Sequence, residues 1–115
     1  MTIKRLAIVN RGEPAMRLHA AVGELNLQRS EDEQITVIAL YTDTDALSWF
    51  VRQADEAVYL GSATFVDPED GSRKVRYHDE DAIKAALAEA RADEVWVGWG
   101  FVSVRASLAQ TCEDA

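Results

Sequence analysis

Four short apolar runs recur along the chain and predict four β-strands, at residues 3–9, 35–41, 57–60 and 94–97. The first two runs are continuous enough for strands that are buried on both faces of a sheet. The run at 57–60 is weaker and stops at Gly61, which is typical of an edge strand. The pattern therefore predicts a small sheet whose strands are spread along most of the sequence.

Apolar positions spaced three or four residues apart predict helices between these strands. The expected helices cover residues 14–25, 42–50, 78–92 and 103–113. Pro14 suits a first helical position, where a missing N–H costs nothing, and Ser103 can cap the last helix. The helix at 78–92 is the clearest, because strong helix formers fill it and acidic residues occupy its first turn.

The remaining long segments are polar. Residues 26–34 form a charged connection to the second strand. Residues 62–75 contain Pro68 and Gly71 and are expected to form a solvated loop, longer than most connections. Loops of that length often carry a function.

Alternation of strands and helices predicts an α/β fold, Rossmann-like, with a parallel sheet of about four strands flanked by helices. Ligands of such sheets gather outside the carboxyl ends of the strands. The residues at those ends are therefore candidate functional residues: Asn10, Arg11, Gly12, Glu13, Thr42, Asp43, Gly98, Trp99 and Gly100.

Composition narrows the class of protein. A length of 115 residues is about one domain, and 48% apolar with 28% charged residues is the balance of a folded globular chain. The net charge of −8 disfavours nucleic acid and anionic membranes as partners. No apolar run is long enough to span a bilayer or to form a signal peptide, so the cytoplasm is the expected compartment. Cys112, the single cysteine, has no second thiol for a disulfide or a metal site.

The turn after the first strand excludes several nucleotide motifs. It holds one glycine, so it fails the G-x-G-x-x-G pattern of dinucleotide sites, and the chain has no G-x-x-x-x-G-K-[ST] phosphate loop. A receiver domain would place paired aspartates where Asn10 and Arg11 stand. The residues themselves leave two interpretations of this turn open: a functional turn, or an internal ion pair that braces the loop.

Residues 10–17 are similar to the Asn-Arg-Gly-Glu-Ile-Ala-x-Arg signature that opens biotin carboxylase domains. Residues 41–47 resemble the family's Tyr-Ser-Asp-x-Asp segment, and residues 52–57 resemble its Ala-Asp-Glu-Ala run. Tyr77 matches the Tyr of its Ser-Tyr-Leu. Residues 98–103 resemble its Gly-Tyr-Gly-Phe-Leu-Ser, so the resemblance covers essentially the whole chain in order.

The resemblance implies a function for a longer parent protein. Biotin carboxylases use ATP and Mg²⁺ to activate bicarbonate as carboxyphosphate and pass the carboxyl group to biotin. The lysines, metal-binding carboxylates and glycine-rich lid of that chemistry belong to the family's ATP-grasp domains, which follow this one. The chain is therefore expected to hold no catalytic residue and no metal site, to bind no biotin, ATP or Mg²⁺ alone, and to have those ATP-grasp domains as partners within the parent chain.

The same resemblance implies roles for individual residues. One wall of the substrate cleft would be formed by Asn10, Arg11, Gly12, Glu13, Gly98, Trp99 and Gly100. Trp99 replaces a Tyr that lies beside biotin in the family, and a core position is the alternative for it. Arg17 matches an arginine of the bacterial dimer interface, so a homo-oligomer is possible, although Ala20 replaces the second interface arginine. His19 is expected to be a surface or interface residue rather than a metal ligand.

Departures from the family pattern point in other directions. Pro14, Trp99 and the insertion at 26–34 resemble the long single-chain acyl-CoA carboxylases, which implies a role in fatty-acid metabolism. The chain is expected to be truncated before the last strand of its domain, and Val104 stands where the family usually has Glu. A non-catalytic interaction or dimerisation module is the main alternative function, and a small nucleotide-binding regulator is a third.

Overall fold

A computed structural model describes residues 4–97 of the chain. Its strands are β1 (Arg5–Ile8), β2 (Thr36–Thr42), β3 (Glu56–Gly61), β4 (Thr64–Val66), β5 (Arg73–Val75) and β6 (Glu94–Trp96). Its α-helices are α1 (Gly12–Leu27), α2 (Trp49–Gln53) and α3 (Glu80–Ala90). Short 3-10 turns cover Glu31–Glu33, Asp43–Asp45 and Arg76–His78. Within this part of the chain, no helix is long and apolar enough to cross a membrane.

Four strands form one parallel sheet in the order β3-β2-β1-β6. Strand β1 lies in the interior, where Ala7 pairs with Ile38 of β2 on one side and with Val95 of β6 on the other. Strand β3 is at the edge, as the weak apolar run at 57–60 predicts. The α/β fold class and the parallel four-stranded sheet are therefore confirmed.

Alternate residues of the sheet enter two separate cores, because successive side chains point to opposite faces. On one face Ala7, Val9, Ile38 and Leu40 pack with the apolar side of α3. On the other face Leu6, Ile8, Val37 and Ala39 pack with Ala15 and Val22 of α1 and with Phe50 of α2. Helices on both faces explain why the apolar runs of β1 and β2 are continuous, at residues 6–8 and 37–40.

Helix α1 begins at Gly12, two residues before the expected start at Pro14. Gly12 has a φ of +65°, in the left-handed region that glycine adopts without strain, and this lets the chain turn directly from β1 into the helix. Pro14 still lies in the first turn, where its missing N–H leaves no hydrogen bond unmade. At its other end the helix continues to Leu27, into the segment predicted as a polar connection.

The helix predicted at residues 42–50 is wrong in its bounds. The chain instead forms the 3-10 turn Asp43–Asp45 and then α2, which begins at Trp49. The side chain of Thr42 caps neither element; its hydroxyl lies 3.2 Å from that of Thr44. Asp45 interrupts the helix, because its backbone carbonyl accepts from the Ser48 amide and its carboxylate accepts from the Ser48 hydroxyl.

The sequence predicts a solvated loop at residues 62–75. The structure instead has an antiparallel hairpin of β4 and β5 in this segment. Its turn is closed by the Asp67 amide, which donates to the Ser72 carbonyl at 2.8 Å, and by the Gly71 amide, which donates to the Asp67 carbonyl at 2.7 Å. Lys74 donates to Asp67 across the hairpin at 2.5 Å. Strands of three residues in a charged segment leave almost no alternation to detect.

Helix α3 confirms the strongest helix prediction, with narrower bounds than residues 78–92. Asp79 caps it by accepting from the amide of Ala82 at 3.1 Å. At the following strand, Asp93 accepts from the amides of Lys4 and Arg5 and its own amide donates to the Arg5 carbonyl at 2.8 Å. These bonds align the amino ends of β6 and β1. The predicted last helix at 103–113 lies outside the described residues.

Candidate functional site

The carboxyl ends of β1, β2 and β6 lie side by side because the three strands are parallel neighbours. The chain leaves β1 through Asn10 and Arg11, leaves β2 into the turn Asp43–Asp45, and leaves β6 at Val97. We call this set of residues the carboxyl edge. It is the part of the fold where a doubly wound sheet holds its ligands.

Asn10 joins β1 to β6 at the carboxyl edge. The residue is only 4% exposed, and its side-chain amide donates to the carbonyl of Val97 at 2.9 Å. Its amide oxygen accepts from the backbone N–H of Arg11 at 2.8 Å. One side chain therefore satisfies a carbonyl and an N–H that lie just beyond the last strand pairings.

Arg11 joins β1 to the turn after β2. Its Nε and Nη2 donate to the two carboxylate oxygens of Asp45 at 2.5 and 2.7 Å, a bidentate pair. Asp45 is 2% exposed and also accepts from the hydroxyl of Ser48 at 2.9 Å. These hydrogen bonds lower the pKa of Asp45, against the opposing effect of burial, and raise the pKa of Arg11. Both groups are therefore charged at neutral pH.

Of the two interpretations left open for this turn, the ion pair is present, but its acidic partner is Asp45 and not a residue of the turn itself. The side chain of Arg11 is 48% exposed, so it remains accessible to solvent although it is paired with Asp45. Only its Nε and Nη2 donate within the described residues. Arg11 can thus present positive charge beyond the sheet while Asp45 fixes its orientation.

Glu13 and Arg17 lie together on the outer surface of α1. The Glu13 carboxylate accepts from Arg17 at 2.6 and 2.7 Å, and the two side chains are 71% and 78% exposed. The carboxylate of Glu13, a predicted cleft residue, therefore forms an ion pair with a side chain one helical turn away. Arg17 is open to solvent.

Tyr77 connects the segment before α3 to strand β2. Its hydroxyl donates to the carbonyl of Leu40 at 3.1 Å, and burial raises the pKa of the phenol far above its ordinary value. The negative charge of Asp45 also raises the pKa of Tyr77, whereas the positive charge of Arg11 lowers it. The resemblance singled out this tyrosine, but the sequence gives no sign of its partner.

His19 is half-buried rather than a free surface residue. Its Nε2 lies 2.7 Å from the carbonyl of Phe50, a hydrogen bond that ties α1 to α2. Among residues 4–97, no three His, Cys, Asp or Glu side chains are grouped so that they could hold a metal ion.

The structure brings Asn10, Arg11 and Gly12 together at the start of α1, and it directs Glu13 and Arg17 away along the helix surface. Gly98, Trp99 and Gly100, and also Ser103 and Val104, lie outside the described residues. Asp45 is the site residue that the strand-end analysis missed. A signal was present, because an acidic residue follows the second strand within the segment that matches the family motif.

A family model described as "Biotin carboxylase, N-terminal domain" matches residues 2–115. The chain belongs to this family. Membership covers all of the residues that form the parallel sheet described above. It also confirms the resemblance drawn from residues 10–17 and the motifs that follow them.

Curated relatives agree with this family. The chain is 34% identical to human mitochondrial pyruvate carboxylase, with 98% of the chain and 8% of that protein covered. It is 32% identical to the mitochondrial methylcrotonoyl-CoA carboxylase subunit alpha of Arabidopsis thaliana, covering 98% and 13%. It is 31% identical to a biotin-dependent acyl-coenzyme A carboxylase alpha3 subunit of Mycobacterium leprae, covering 98% and 16%. The chain thus spans 8% to 16% of the length of these relatives.

Proposed function

We propose that this biotin carboxylase N-terminal domain forms one wall of the active-site cleft in a parent enzyme that carboxylates biotin with bicarbonate and ATP. The observation that supports this most directly is the carboxyl edge, where Asn10 and Arg11 are held by partly buried hydrogen bonds. A wall must be rigid while the reacting groups lie elsewhere, and the described edge uses its polar side chains mainly to hold its own strands together.

In this proposal the ATP-grasp domains of the same parent chain hold ATP and Mg²⁺, and biotin enters as the group to be carboxylated. Such phosphoryl-transfer chemistry requires cations and metal ions positioned around the phosphates. The contribution of this domain is positional: Arg11 presents a fixed guanidinium, and Gly98, Trp99 and Gly100 complete the same wall by resemblance.

The parent's carboxyl acceptor is a finer part of the proposal. We propose an acyl-CoA, on the basis of the residue types at positions 14, 26–34 and 99. The relatives are named for pyruvate, methylcrotonoyl-CoA and propionyl-CoA carboxylases, so their names do not select one acceptor. A cytoplasmic location stays a prediction from the sequence, and several of these relatives are named as mitochondrial.

A homo-oligomeric parent is also proposed, with Arg17 as a contact residue. Its exposure on α1 supports an interface role, while the Glu13 partner shows that the charge is already balanced in one chain. Arg17→Glu in the parent should weaken self-association in sedimentation experiments, whereas Arg29→Glu, a charge change elsewhere, should not.

The central experiment measures ADP release by the parent protein from MgATP and bicarbonate, with and without free biotin. Biotin-dependent release supports the proposal. In parallel, titration calorimetry of the isolated chain with MgATP should show no binding tighter than millimolar, which is about 4 kcal/mol. A parent without biotin-dependent release would favour an interaction module, and a micromolar constant for the isolated chain would favour the nucleotide-binding regulator.

A further inference from the structure

A cleft of about 600 Å³ lies between the β4–β5 hairpin and the segment that starts α3. One wall belongs to the hairpin and includes Phe65 and Pro68, and the other belongs to the start of α3 and includes Asp79 and Ala82. Within residues 4–97, β4 and β5 pair with each other and with no strand of the four-stranded sheet. The width of the cleft therefore depends on how the hairpin is held against α3 rather than on sheet pairing.

Arg76 connects the two walls of this cleft. The carbon at the centre of its guanidinium lies 4.9 Å from the centre of the Phe65 ring, on the hairpin wall. Its Nη1 donates to the Asp79 carboxylate at 2.7 Å, on the α3 wall. The other oxygen of that carboxylate caps α3 by accepting from the Ala82 amide at 3.1 Å. Arg76 thus ties an aromatic ring of one wall to the helix cap of the other.

The same guanidinium also contacts the backbone where the chain leaves β3. Its Nε donates to the Ser62 carbonyl at 2.9 Å, and a Cβ added at Gly61 would lie 3.1 Å from that nitrogen. Gly61 has a φ of +131°, which glycine adopts without the strain that a side chain would cause. Glycine at this position therefore leaves room for Arg76 and gives the base of the hairpin a residue that can bend easily.

We infer that the β4–β5 hairpin is a flap over this cleft, and that Arg76 holds the flap closed. In the open state the flap keeps its own pairing and swings away from α3 about its base. The turn of the flap is closed by bonds from the Asp67 amide to Ser72 and from the Gly71 amide to Asp67, and Arg76 takes part in neither. This inference concerns the conformation of the chain and does not depend on the proposed function.

Two backbone amides report on opening of the flap, one at each end of it. The Ala63 amide donates to the Asp43 carboxylate at 3.0 Å, and the Asp79 amide donates to the Arg76 carbonyl at 2.9 Å. Hydrogen exchange of the full-length protein, resolved to single amides, measures both. We expect Arg76→Met to accelerate exchange of these two amides about tenfold or more, because it removes both side-chain hydrogen bonds that close the flap.

Amides inside the flap distinguish opening from unfolding. Exchange of the Asp67 and Gly71 amides should change less than about twofold in Arg76→Met, because their hydrogen bonds move with the flap. Acceleration of these amides to the same extent as Ala63 and Asp79 would show that the hairpin unfolds, and would overturn the inference.

Arg73 provides a matched control on the same hairpin. Its Nη1 donates to the hydroxyl of Thr64 at 2.9 Å, so its contact stays within the flap. Arg73→Met should leave exchange of the Ala63 and Asp79 amides near the wild-type rate, and an effect equal to that of Arg76→Met would contradict the role of Arg76. Arg76→Lys keeps the charge without the planar guanidinium and should also accelerate both amides, which provides the test if Arg76→Met does not fold.

A distance measurement tests the movement directly. Spin labels at Glu69→Cys and Ala85→Cys, in a Cys112→Ser background, place one label on the turn of the flap and one on the exposed side of α3. Arg76→Met should shift the distances between the labels to longer values, and Arg73→Met should leave them as they are without it. Unchanged label distances in both Arg76 variants, together with unchanged exchange at Ala63 and Asp79, would refute the flap.

Discussion

Arg11 and Asp45 link the ends of two neighbouring strands through hydrogen bonds of 2.5 and 2.7 Å, although 34 residues separate them in the sequence. The two partners differ sharply in exposure, since the Asp45 side chain is 3% exposed and that of Arg11 is 48% exposed. Water can therefore solvate Arg11 if its partner is lost, but it cannot reach Asp45 to the same extent. The pair should respond unequally to removal of either member.

We predict that Arg11→Met destabilises the chain more than Asp45→Asn. Arg11→Met leaves a buried carboxylate whose one remaining side-chain donor among residues 4–97 is the Ser48 hydroxyl, which should cost about 3 kcal/mol. Asp45→Asn keeps the shape and leaves an exposed cation, so about 1–2 kcal/mol is expected. Urea unfolding of the purified variants measures both free energies.

The exposed pair of Glu13 and Arg17 is the control for this comparison. Arg17→Met removes a guanidinium from an ion pair on the helix surface and should cost less than about 0.5 kcal/mol. An effect of Arg11→Met as small as that of Arg17→Met would show that the buried pair adds little to stability.

The same pair predicts how stability depends on pH. The pKa of Asp45 is lowered in the folded chain from an ordinary value of 3.8, mainly by the Arg11 hydrogen bonds. Between the lowered pKa of the folded state and the ordinary pKa of the unfolded state, the folded state thus binds fewer protons than the unfolded state. Stability therefore falls as the pH falls through that window. The stabilisation is fully present above the unfolded pKa.

The difference in unfolding free energy between wild type and Asp45→Asn should therefore be constant from about pH 6 to 8. It should shrink as the pH falls below about 4, where the Asp45 carboxylate of the unfolded state begins to be protonated while that of the folded state is still charged. Acid titrations followed by circular dichroism provide the measurement. A difference that grows on acidification would contradict the lowered pKa.

Two glycines of α1 should respond to alanine with opposite signs. Gly12 has a φ of +65°, so Gly12→Ala should cost about 1 kcal/mol through backbone strain, even though no atom lies within 4 Å of the added Cβ. Gly23 lies within the helix with open space around its Cβ, and Gly23→Ala should gain about 1 kcal/mol. Thermal or urea unfolding measures the stability of the two variants. If Gly12→Ala stabilised the chain as Gly23→Ala should, a side chain at residue 12 would not strain the turn into α1.

Lys74 should stabilise the hairpin of β4 and β5 without affecting the four-stranded sheet. It pairs with Asp67 at 2.5 Å and with Asp70 at 3.3 Å, while β4 and β5 pair only with each other in the described residues. Lys74→Met should accelerate amide exchange at residues 64–75 and leave β1 and β2 unchanged. Lys84→Met makes the same substitution on the exposed side of α3 and should leave the hairpin protected.

The sheet was predictable because strands that are buried on both faces have continuous apolar runs in the sequence. Val37, Ile38, Ala39 and Leu40 are all buried, and a run of that kind fits a covered parallel strand. Helix α3 was predictable for a related reason, since Ile83 and Leu87 fall on one face of a segment made otherwise of alanines and charged residues. In both cases the local pattern and the tertiary packing agree.

The carboxyl edge was predictable in place but not in detail. Strand ends identify Asn10 and Arg11 as candidates, whereas the choice of Asp45 over Asp43 or Glu13 as the partner of Arg11 depends on the 3-10 turn that follows β2. The hairpin was missed because its strands are too short to show a period. The early start of α1 depends on one positive φ, which the sequence signals only through the presence of Gly12.

The interior position of β1 has a consequence for the order in which the fold is completed. The earliest in sequence of this sheet's four strands lies between β2 and β6, and the hydrogen bond from the Arg5 amide to Asp93 spans 88 residues. Contacts of such sequence separation close large loops, which slows folding. On the ribosome, β1 can pair early with β2, but its other edge stays open until β6 has emerged. During that interval Ala7 and Val9 would have incomplete cover, so this domain is a candidate for chaperone assistance while it is being made.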